Sequence, residues 1–452
     1  MGMDDNMWER TKTLLLVGLV VTSVFFTGQM WLGSLSSITE HQIGIDYQQP
    51  QPAEALKPLA IYTHRNNQIE KFNPKDEGYS QLWQMFQEAI AGTTSVTARV
   101  VKAEEWNSNI GSGAIEISLA GSVPMRMWLE ALSVQPSGLS TEHFIDRILL
   151  NPKSTSIYFF NTKSGVYLAW TVTVPKDKIS TIVEAVAGSG QAVRLVFQPW
   201  RKRVAPWVYV PSSVMSLAEL LVTTETSAAS QYALRYFEDR SLVRVIGERD
   251  GKTTYTDGRK IVYVDIQGGI EFIEAIYFAR PQYDVTKRGS LMLSDAMTQI
   301  AKYGGWPGDY LLSSMTVNND PLRPYIDFRF TPFVTGQLVD EKMYLPLVSS
   351  RVQLGLRVTE KGVSQYERFV FIPERLGPWK AQLCTAEAAL SAAAKVSAST
   401  KNILQPGIVT NIYLAYYQRE IEQDGYLYPV WVIEQGTHRV LVNAFTSQLV
   451  GD

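Results

Sequence analysis

Thr13-LLLVGLVVTSVFFTGQMWL-Gly33 is an uncharged stretch near the start of the chain, and the arrangement of everything else follows from it. It is the only uncharged run in the sequence that is long enough to cross a bilayer. About 20 residues at 1.5 Å rise cover the roughly 30 Å hydrocarbon core. The stretch therefore predicts a transmembrane helix over residues 13–33.

The charges that flank this span predict its orientation. Arg10 and Lys12 precede it, and no Lys or Arg follows it until Lys57. This asymmetry predicts a cytoplasmic tail of residues 1–12, with everything after the span outside the membrane. A cleaved signal peptide is the alternative, but the apolar region exceeds the usual 7–15 residues and no A-x-A cleavage site follows it. An inward signal would then have to pass through another protein's membrane helix.

Composition favours a folded exterior without disulfides. Hydrophobic residues make up 45% of the 452 residues, with 22 Tyr and 11 Trp, which is enough for packed cores. The net charge of −2 creates no global field that would favour nucleic acid. Cys384 is the only cysteine, so no intramolecular disulfide can form. A disulfide-free exported region of this size favours a Gram-positive type bacterium and a location in its cell membrane.

The segments outside the membrane have the pattern of an α+β fold. Residues 34–56 are polar and read as a tether, and residues 57–211 as a first α+β domain. Tyr79 to Ala91 carries apolar residues at helical spacing. Asn161-Thr-Lys-Ser-Gly165 lies between two apolar runs and predicts a hairpin. Pro175 predicts the first turn of a helix that extends through Ala187.

Residues 212–375 and 376–452 are interpreted as a second and a third domain. An apolar helix is expected at Leu217–Val222, and Asp250-Gly251 and Asp257-Gly258 predict hairpin turns within a meander from Leu242 to Phe278. A faint repeat follows, because a helix precedes strands and a proline-containing strand twice. The two copies comprise Ser294–Tyr303, Ile326–Phe330 and Tyr344–Val348, then Ala386–Val396, Asn411–Tyr417 and Tyr426–Trp431.

No motif for catalysis, a cofactor or a metal stands out. Gly247 to Thr253 has three residues between its glycines where a P-loop has four, so we read it as part of a hairpin. The four histidines (His41, His64, His143 and His438) are widely separated and lack metal-site spacing. The sequence has no Gly-x-Ser-x-Gly elbow. We therefore expect a protein that is not an enzyme.

Two further features leave alternatives open. Glu104, Glu105 and Glu116 are carboxylates that a glycan hydrolase would need in pairs, although the sequence does not show whether any two of them meet. The basic run Arg201–Arg203, between Trp200 and Trp207, would suit an anionic wall polymer or lipid headgroups, while a solvated loop is the simpler interpretation.

The membrane span itself carries a stripe of small and polar residues. Gly18, Thr22, Phe25 and Gln29 fall at i, i+4, i+7 and i+11, which is one face of a helix. Helices associate in lipid through close backbone approach at small residues and through interhelical hydrogen bonds. We predict that this face contacts a partner helix, although Gly and Thr also occur in anchors without partners.

Several motifs, in their order along the chain, resemble the bacterial YycH family. They are Lys12-Thr-Leu-Leu-Leu-Val with a span reaching Trp31, Ala114-Ile-Glu-Ile, Val123-Pro124, Val208-Tyr-Val-Pro211, Phe237-Glu-Asp-Arg-Ser-Leu-Val-Arg244, Tyr255-Thr-Asp-Gly258, Tyr428-Pro-Val-Trp431 and Val442-Asn-Ala-Phe-Thr446. The last two also resemble the closing strands of YycI proteins and PepSY-like modules. Ser447 departs from the pattern, since glycine is common there.

The resemblance implies a single-pass extracytoplasmic regulator of the sensor histidine kinase YycG (WalK), which controls cell-wall metabolism in a two-component system. It further implies that the anchor pairs with a YycI-like partner and with the transmembrane helices of the kinase. Two other classes stay open. The exterior could bind a wall fragment or an exported peptidase, for which a concave apolar pocket would be needed. It could also be an anchored hydrolase, which would need a cleft with paired carboxylates.

Overall fold

The computed structural model describes two parts of the chain. One comprises residues 16, 19, 20, 22 and 23, which are helical and exposed. The other is residues 51–450 without 92–97, 112, 135–142, 172–175, 199, 225, 276–287, 321–323, 338–341, 376–380, 400–407, 419–424 and 437. Most of the predicted span 13–33 and of the predicted tether therefore lies outside the described residues. No helix among the residues that are described has the length and apolarity needed to cross a membrane.

Tyr47–Asp452 form one compact unit, in which short helices pack on long antiparallel sheets. The described helices are α1 (Pro52–Ala55), α2 (Glu77–Ala91), α3 (Ala103–Asn109), α4 (Met125–Ala131), α5 (Lys176–Ala185), α6 (Thr226–Leu234), α7 (Gly289–Lys302) and α8 (Ala386–Ser399). Two 3₁₀ turns lie at Trp200–Lys202 and Arg240–Leu242. The mixture of helices with antiparallel sheets confirms the predicted α+β class.

The first nine strands form the N-terminal sheet. They are β1 (Ala60–Arg65), β2 (Gln68–Phe72), β3 (Ala98–Val101), β4 (Ile115–Pro124), β5 (Phe144–Leu150), β6 (Ser156–Asn161), β7 (Val166–Thr171), β8 (Gln191–Leu195) and β9 (Tyr209–Pro211). Their order across the sheet is β3-β7-β6-β5-β4-β1-β2-β8-β9, and every neighbouring pair is antiparallel. The predicted hairpin at Asn161–Gly165 joins β6 to β7.

Amphipathic helices cover one face of this sheet. In α2, Leu82, Phe86 and Ile90 recur at helical spacing and are fully buried, as the sequence predicted. They pack with Ile61, Ile117 and other apolar residues of the same sheet face in the main core of the molecule. The helix predicted from Pro175 to Ala187 is observed as α5, which contacts α2.

Fourteen of the remaining strands form the second, larger sheet. The remaining strands are β10 (Ser216–Leu217), β11 (Leu220–Thr224), β12 (Arg244–Gly247), β13 (Thr253–Thr256), β14 (Lys260–Val264), β15 (Ile270–Glu274), β16 (Tyr310–Asn318), β17 (Tyr325–Gln337), β18 (Lys342–Ser349), β19 (Leu354–Thr359), β20 (Gly362–Arg368), β21 (Phe371–Arg375), β22 (Ala381–Gln382), β23 (Asn411–Gln418), β24 (Tyr426–Gln435) and β25 (His438–Asn443). The backbone order is β12-β13-β14-β15-β20-β19-β17-β18-β23-β24-β11-β21, with β16 on β17, β25 on β24, and β10 paired apart with β22.

The predicted meander is observed as β12 to β15, four consecutive antiparallel strands. Both Asp-Gly turns lie in it. Gly251 and Gly258 have φ of 85° and 90°, in the left-handed region that glycine enters without steric cost. The carboxylates of Asp250 and Asp257 accept hydrogen bonds from backbone amides two residues further on. The segment that resembled a P-loop is therefore a hairpin.

The prediction of a helix at Leu217–Val222 is wrong, because this segment forms β10 and β11. Leu220 to Thr224 pairs with β21 over its whole length, and its first two residues also pair with β24. Leu220 and Val222 are buried while Thr223 is exposed, an alternation with period two. A short apolar run has no periodicity of its own that separates helix from strand, so tertiary pairing determines the result.

The two copies of the faint repeat lie side by side. Each has a helix followed by an antiparallel hairpin whose second strand contains proline, namely α7 with β17–β18 and α8 with β23–β24. Strand β18 pairs with β23 in parallel, so the copies share one continuous sheet. The relation of these copies to PepSY modules stays a prediction, as does the division at residues 211 and 375.

Candidate functional site

A buried group of charged and polar side chains lies on the face of the N-terminal sheet opposite α2. Strand β4 alternates, so that Ile115 and Ile117 point to the helices and Glu116 points the other way. Strand β1 places Tyr62 directly beside Glu116, and β5 supplies Arg147 opposite Ser118. Glu116 has no exposed surface.

Three side chains contact the Glu116 carboxylate. Arg147 donates from Nη1 to Oε1 at 2.5 Å, and Tyr209 donates its hydroxyl to Oε2 at 2.7 Å. His64 Nε2 lies 3.4 Å from Oε2. The ring of Tyr209 covers the group, with its centroid 4.9 Å from that of Tyr62. We refer to Tyr62, His64, Glu116, Arg147 and Tyr209 as the Glu116 cluster.

Electrostatics in the cluster keep its ion pair charged. Burial alone raises the pKa of Glu116, but the hydrogen bond from His64, the charge of Arg147 and the hydroxyl of Tyr209 bring this pKa below its usual value. Burial likewise opposes the charge of Arg147, and Glu116 more than offsets it, so the pKa of Arg147 is raised. Burial raises the pKa of Tyr62 to about 12. At neutral pH the cluster is thus one carboxylate, one guanidinium and neutral phenols.

The Glu116 cluster has a structural role, because it holds strands of the N-terminal sheet together. A general acid or base exchanges a proton with a substrate, whereas Glu116 has no exposed surface and its carboxylate oxygens accept hydrogen bonds from internal donors. Buried ion pairs with their remaining hydrogen bonds satisfied tolerate burial, while the loss of one partner is costly. We infer that the cluster fixes β1, β4, β5 and β9 relative to one another.

Tyr209 also connects this cluster to a second feature, which we name the seam. The seam comprises residues 194–198 and 200–211 together with Glu387 and residues 408–410. Val204 forms a parallel bridge with Val409, and Ala205 N donates to Val409 O at 2.9 Å. Trp207 packs edge-on against Phe160 of β6 and donates Nε1 to Thr410 O at 3.3 Å. The seam therefore joins the N-terminal sheet to the module that contains α8 and β23.

A half-buried ion pair closes the other end of the seam. Arg194 on β8 donates Nη1 and Nη2 to the two carboxylate oxygens of Glu387 on α8, at 2.6 and 3.3 Å. The backbone N–H of Phe197 donates to the same carboxylate at 3.3 Å. Burial raises the pKa of Glu387, and the hydrogen bonds from Arg194 and the amides outweigh burial, so this pKa is lowered.

The structure separates the carboxylates that the sequence singled out. Glu105 lies on α3 and makes a surface ion pair with Arg99, whereas Glu116 is sealed in the cluster. His64 belongs to the Glu116 cluster, His438 is exposed on β25, and His41 lies outside the described residues. In the part of the chain that the structure describes, no three metal-ligating side chains are grouped to hold an ion.

The predicted partner-helix face lies almost entirely outside the described residues. Thr22 is helical and exposed. Gly18, Phe25 and Gln29 are not among the residues described. The interface through Gly18, Thr22, Phe25 and Gln29 therefore stays a prediction.

Comparison with known proteins gives a match for the N-terminal part of the chain. Residues 9–187 match the model of the YycH protein, N-terminal domain. This match shows a resemblance to the YycH family over residues 9–187. Among curated proteins, no sequence matches it.

The fold of this chain is similar to that of a solved structure. The crystal structure of YycH from Bacillus subtilis superposes with a TM-score of 0.59 at 16% sequence identity, and the match covers 88% of this chain and 98% of that one. An uncharacterized protein from Eubacterium rectale ATCC 33656 has a TM-score of 0.33 at 10% identity, over 54% of this chain and 88% of that one.

Two of the motifs that carried the resemblance to YycH proteins meet in space. Ala114-Ile-Glu-Ile contains Glu116, and Val208-Tyr-Val-Pro211 contains Tyr209, whose hydroxyl bonds that carboxylate. No local sequence pattern indicated roles for Arg147, Arg194, Tyr209 or Glu387. One sequence signal did indicate the cluster. Glu116 is a charged residue between two apolar ones in Ile-Glu-Ile, and this part of the strand is buried on both faces.

Proposed function

We propose that this chain is a membrane-anchored accessory regulator of a two-component sensor histidine kinase of the YycG (WalK) type, which controls cell-wall metabolism. It acts without catalysis, by contacts of its anchor and its exterior with the kinase and with a YycI-like partner. The observation that carries the proposal is the family match, because residues 9–187 contain both the predicted span and most of the N-terminal sheet.

The architecture of the exterior supports this proposal. The seam holds the N-terminal sheet against the α8 module through an ion pair, a strand bridge and a tryptophan. A regulator that is attached by a membrane anchor can convey its state as a rigid body or through that anchor. Moving a kinase from mostly off to mostly on takes a differential interaction of about 5 kcal/mol. One helix interface together with one exterior contact can supply that free energy.

Co-purification of the tagged full-length protein from its own membranes tests the anchor. In the variant Gly18→Leu with Thr22→Leu, bulky side chains replace the small ones on the predicted face, so close helix approach is lost. The expected result is recovery of a sensor kinase with the parent protein and not with this variant.

A matched control places the same bulk on the other side of the span. Ser23→Leu with Thr27→Leu also changes two small residues to leucine, at positions that a 3.6-residue helix turns away from the predicted face. This control should retain the kinase. Equal recovery with every variant would mean that the kinase contact does not lie on this helix face. Absence of the kinase from the material purified with the parent protein would contradict the proposed regulatory function.

The alternative function, binding of a wall fragment or an exported peptidase, would need a deep apolar pocket with convergent polar groups. Two clefts of about 500 and 510 Å³ are open to solvent. One lies between α8 and residues 447–449, and the other is lined by Arg65, Lys153, Lys176 and Glu184 among others. Neither combines apolar depth with convergent polar groups, so the regulator is the function that we propose.

A further inference from the structure

A basic and apolar surface lies on the outer side of the seam, where the sequence showed the run Arg201–Arg203. A 3₁₀ turn at Trp200–Lys202 presents Lys202 and Arg203 to solvent. Phe197 is 60% exposed, although the Arg194 guanidinium covers one face of its ring, and Ile408 is 58% exposed. We name Phe197, Trp200, Arg201, Lys202, Arg203 and Ile408 the basic–apolar patch.

The backbone holds the two halves of this patch side by side. Val204 and Val409 are bridged in parallel and both are buried. Side chains alternate along paired extended segments, so the residues before them, Arg203 and Ile408, both point outward. Val409 N donates to Arg203 O at 2.8 Å, which fixes this register. The patch is therefore a fixed surface in which a cation and an apolar side chain are neighbours.

The cations of the patch keep their charge available. Among the described residues, no carboxylate lies within ion-pairing distance of Arg201, Lys202 or Arg203. The nearby carboxylate of Glu387 is already occupied by Arg194 and Phe197 N. The Arg203 guanidinium lies 5.8 Å from the Trp200 ring centroid, within cation–π range. Since the whole chain carries a net charge of −2, this positive charge is local.

We propose that the basic–apolar patch docks on the headgroup layer of an anionic membrane. Lys and Arg attract lipid phosphates, while the exposed Phe197 and Ile408 and the half-buried Trp200 gain by entering the interface between headgroups and acyl chains. A hydrated anionic polymer would satisfy the cations and leave Phe197 and Ile408 in water. The combination of both residue types in one surface thus favours lipid over a wall polymer.

The docking rests on the membrane anchor of the proposed function and extends it. Residues 34–51 can span at most roughly 60 Å. A folded unit of about 400 residues has a radius of gyration of about 22 Å. The predicted connection is therefore long enough for any side of the exterior to reach the membrane, and the patch selects which side does so. Docking would fix the orientation in which the exterior meets the kinase.

An environment-sensitive dye in the patch tests the proposal on the full-length chain. Gln198, exposed within the patch, is changed to Cys in a Cys384→Ser background and labelled. The protein is reconstituted in nanodiscs of phosphatidylcholine alone or mixed with phosphatidylglycerol. Three cations beside an anionic surface favour contact by on the order of 100-fold at low salt. We expect emission at shorter wavelength in the anionic discs, reversed by high salt.

Two triple variants supply the matched comparison. Arg201→Gln, Lys202→Gln and Arg203→Gln together should abolish the shift. Arg244→Gln, Arg249→Gln and Lys252→Gln together remove three exposed charges from the β12–β13 hairpin and should leave it intact. A shift of equal size in neutral and anionic discs, or one that survives the first triple variant, would overturn the proposal.

Two further outcomes separate this proposal from the others. Failure of the parent protein to enter nanodiscs at all would count against the anchor, and hence against the proposed function itself. Incorporation without any lipid-dependent shift would count against the docking alone. A shift that appears in neutral discs only on adding poly(glycerol phosphate) would assign the patch to a wall polymer and refute the lipid assignment.

Discussion

Two of the arginine–glutamate pairs, Arg147–Glu116 and Arg194–Glu387, have the same chemistry and different burial. The side chains of Arg147 and Glu116 are 8% and 0% exposed, whereas those of Arg194 and Glu387 are 23% and 19% exposed. Opening the first pair would strand a charge in the interior, and opening the second lets water reach both partners. We infer from this comparison that the N-terminal sheet resists local opening and that the exterior opens more easily at the seam.

The largest effect is expected from breaking the buried pair. Arg147→Met leaves Glu116 as an uncompensated buried charge and should lower the free energy of unfolding by about 3–5 kcal/mol at pH 7. Urea unfolding of the full-length protein in detergent measures this. Without Arg147, burial raises the pKa of Glu116, so the deficit should shrink as the pH falls toward 4 and the carboxyl takes up a proton.

Two variants test whether burial is the cause. Arg99→Met breaks the surface pair with Glu105, in which the arginine is 54% exposed, and should cost under about 1 kcal/mol. Glu116→Gln combined with Arg147→Met removes both charges and should recover much of the lost stability. An equal loss at Arg99 and Arg147 would show that burial does not distinguish the pairs.

Lys71, a second cation on the same sheet face, sharpens the contrast, because its pKa is lowered whereas that of Arg147 is raised. Lys71 pairs with Tyr62 across β1 and β2, and burial lowers its pKa to about 8, with Asp76 opposing the shift. The unfolded chain then binds more protons between pH 8 and 10.5, so this lysine destabilises the fold below pH 8. Lys71→Met should raise the free energy of unfolding by at most about 3 kcal/mol at pH 7, and the gain should fade as the pH rises to 10.5.

The pH profile is the informative part of the Lys71 experiment. Thermal or urea unfolding of parent and variant at pH 7 and pH 10 gives the two differences. Lys153→Met, at an exposed position, removes the same unit of charge from the surface and controls for the change in net charge. A gain for Lys71→Met that is the same at both pH values would assign it to packing of the methionine alone.

Local patterns predicted much of the secondary structure, but not the order of the strands. Helix α2 follows from Leu82, Phe86 and Ile90, and the meander from its Asp-Gly turns, because these signals lie within a few residues of one another. The strand at Leu220–Thr224 was missed, since its partners β21 and β24 lie about 150 and 200 residues further along the chain. Non-local pairing of this kind leaves no period in the segment itself.

The candidate site was less predictable for the same physical reason. The partners of Glu116 are 31, 52 and 93 residues away in sequence. Glu387 lies 193 residues from Arg194. A single sequence shows that Ile-Glu-Ile contains a charge among apolar residues, and nothing in it identifies Arg147 rather than another arginine as the partner. The resemblance to YycH proteins included Glu116 and Tyr209 only as members of two motifs and assigned neither residue a role.

Breaking the seam pair should have a smaller and more local effect than breaking the buried pair. Arg194→Met should cost about 1–2 kcal/mol, because Glu387 regains water when the seam opens. Hydrogen exchange of the Ala205 and Val409 amides, which bond across the seam, should accelerate roughly tenfold, while β4 amides stay unchanged. In the parent, the pKa of Glu387 is lowered, so the pair stabilises the seam above the normal Glu pKa, and this stability is lost as the pH falls through the lowered value.

A double-mutant cycle isolates the seam pair from its surroundings. Glu387→Gln, and Glu387→Gln combined with Arg194→Met, complete the cycle, and a coupling energy near zero would mean that the contact does not hold the seam. Slower or unchanged exchange at Ala205 in Arg194→Met would likewise place the weak point elsewhere.

The smallest effect concerns the module on the far side of the seam and asks whether its own stability governs seam opening. Ser447 has φ of 57°, a left-handed conformation that glycine adopts without steric cost, and Ser447 N donates to Asn443 O at 2.9 Å. Serine thus occupies a left-handed turn position where the resemblance to YycH proteins predicts glycine. Ser447→Gly should stabilise the fold by about 0.5 kcal/mol, since relief of strain is partly offset by a more flexible unfolded chain.

If seam opening is controlled by Arg194 and Glu387, exchange at Ala205 and Val409 should not slow in this variant. Slower exchange there would instead make seam opening part of unfolding of the α8 module.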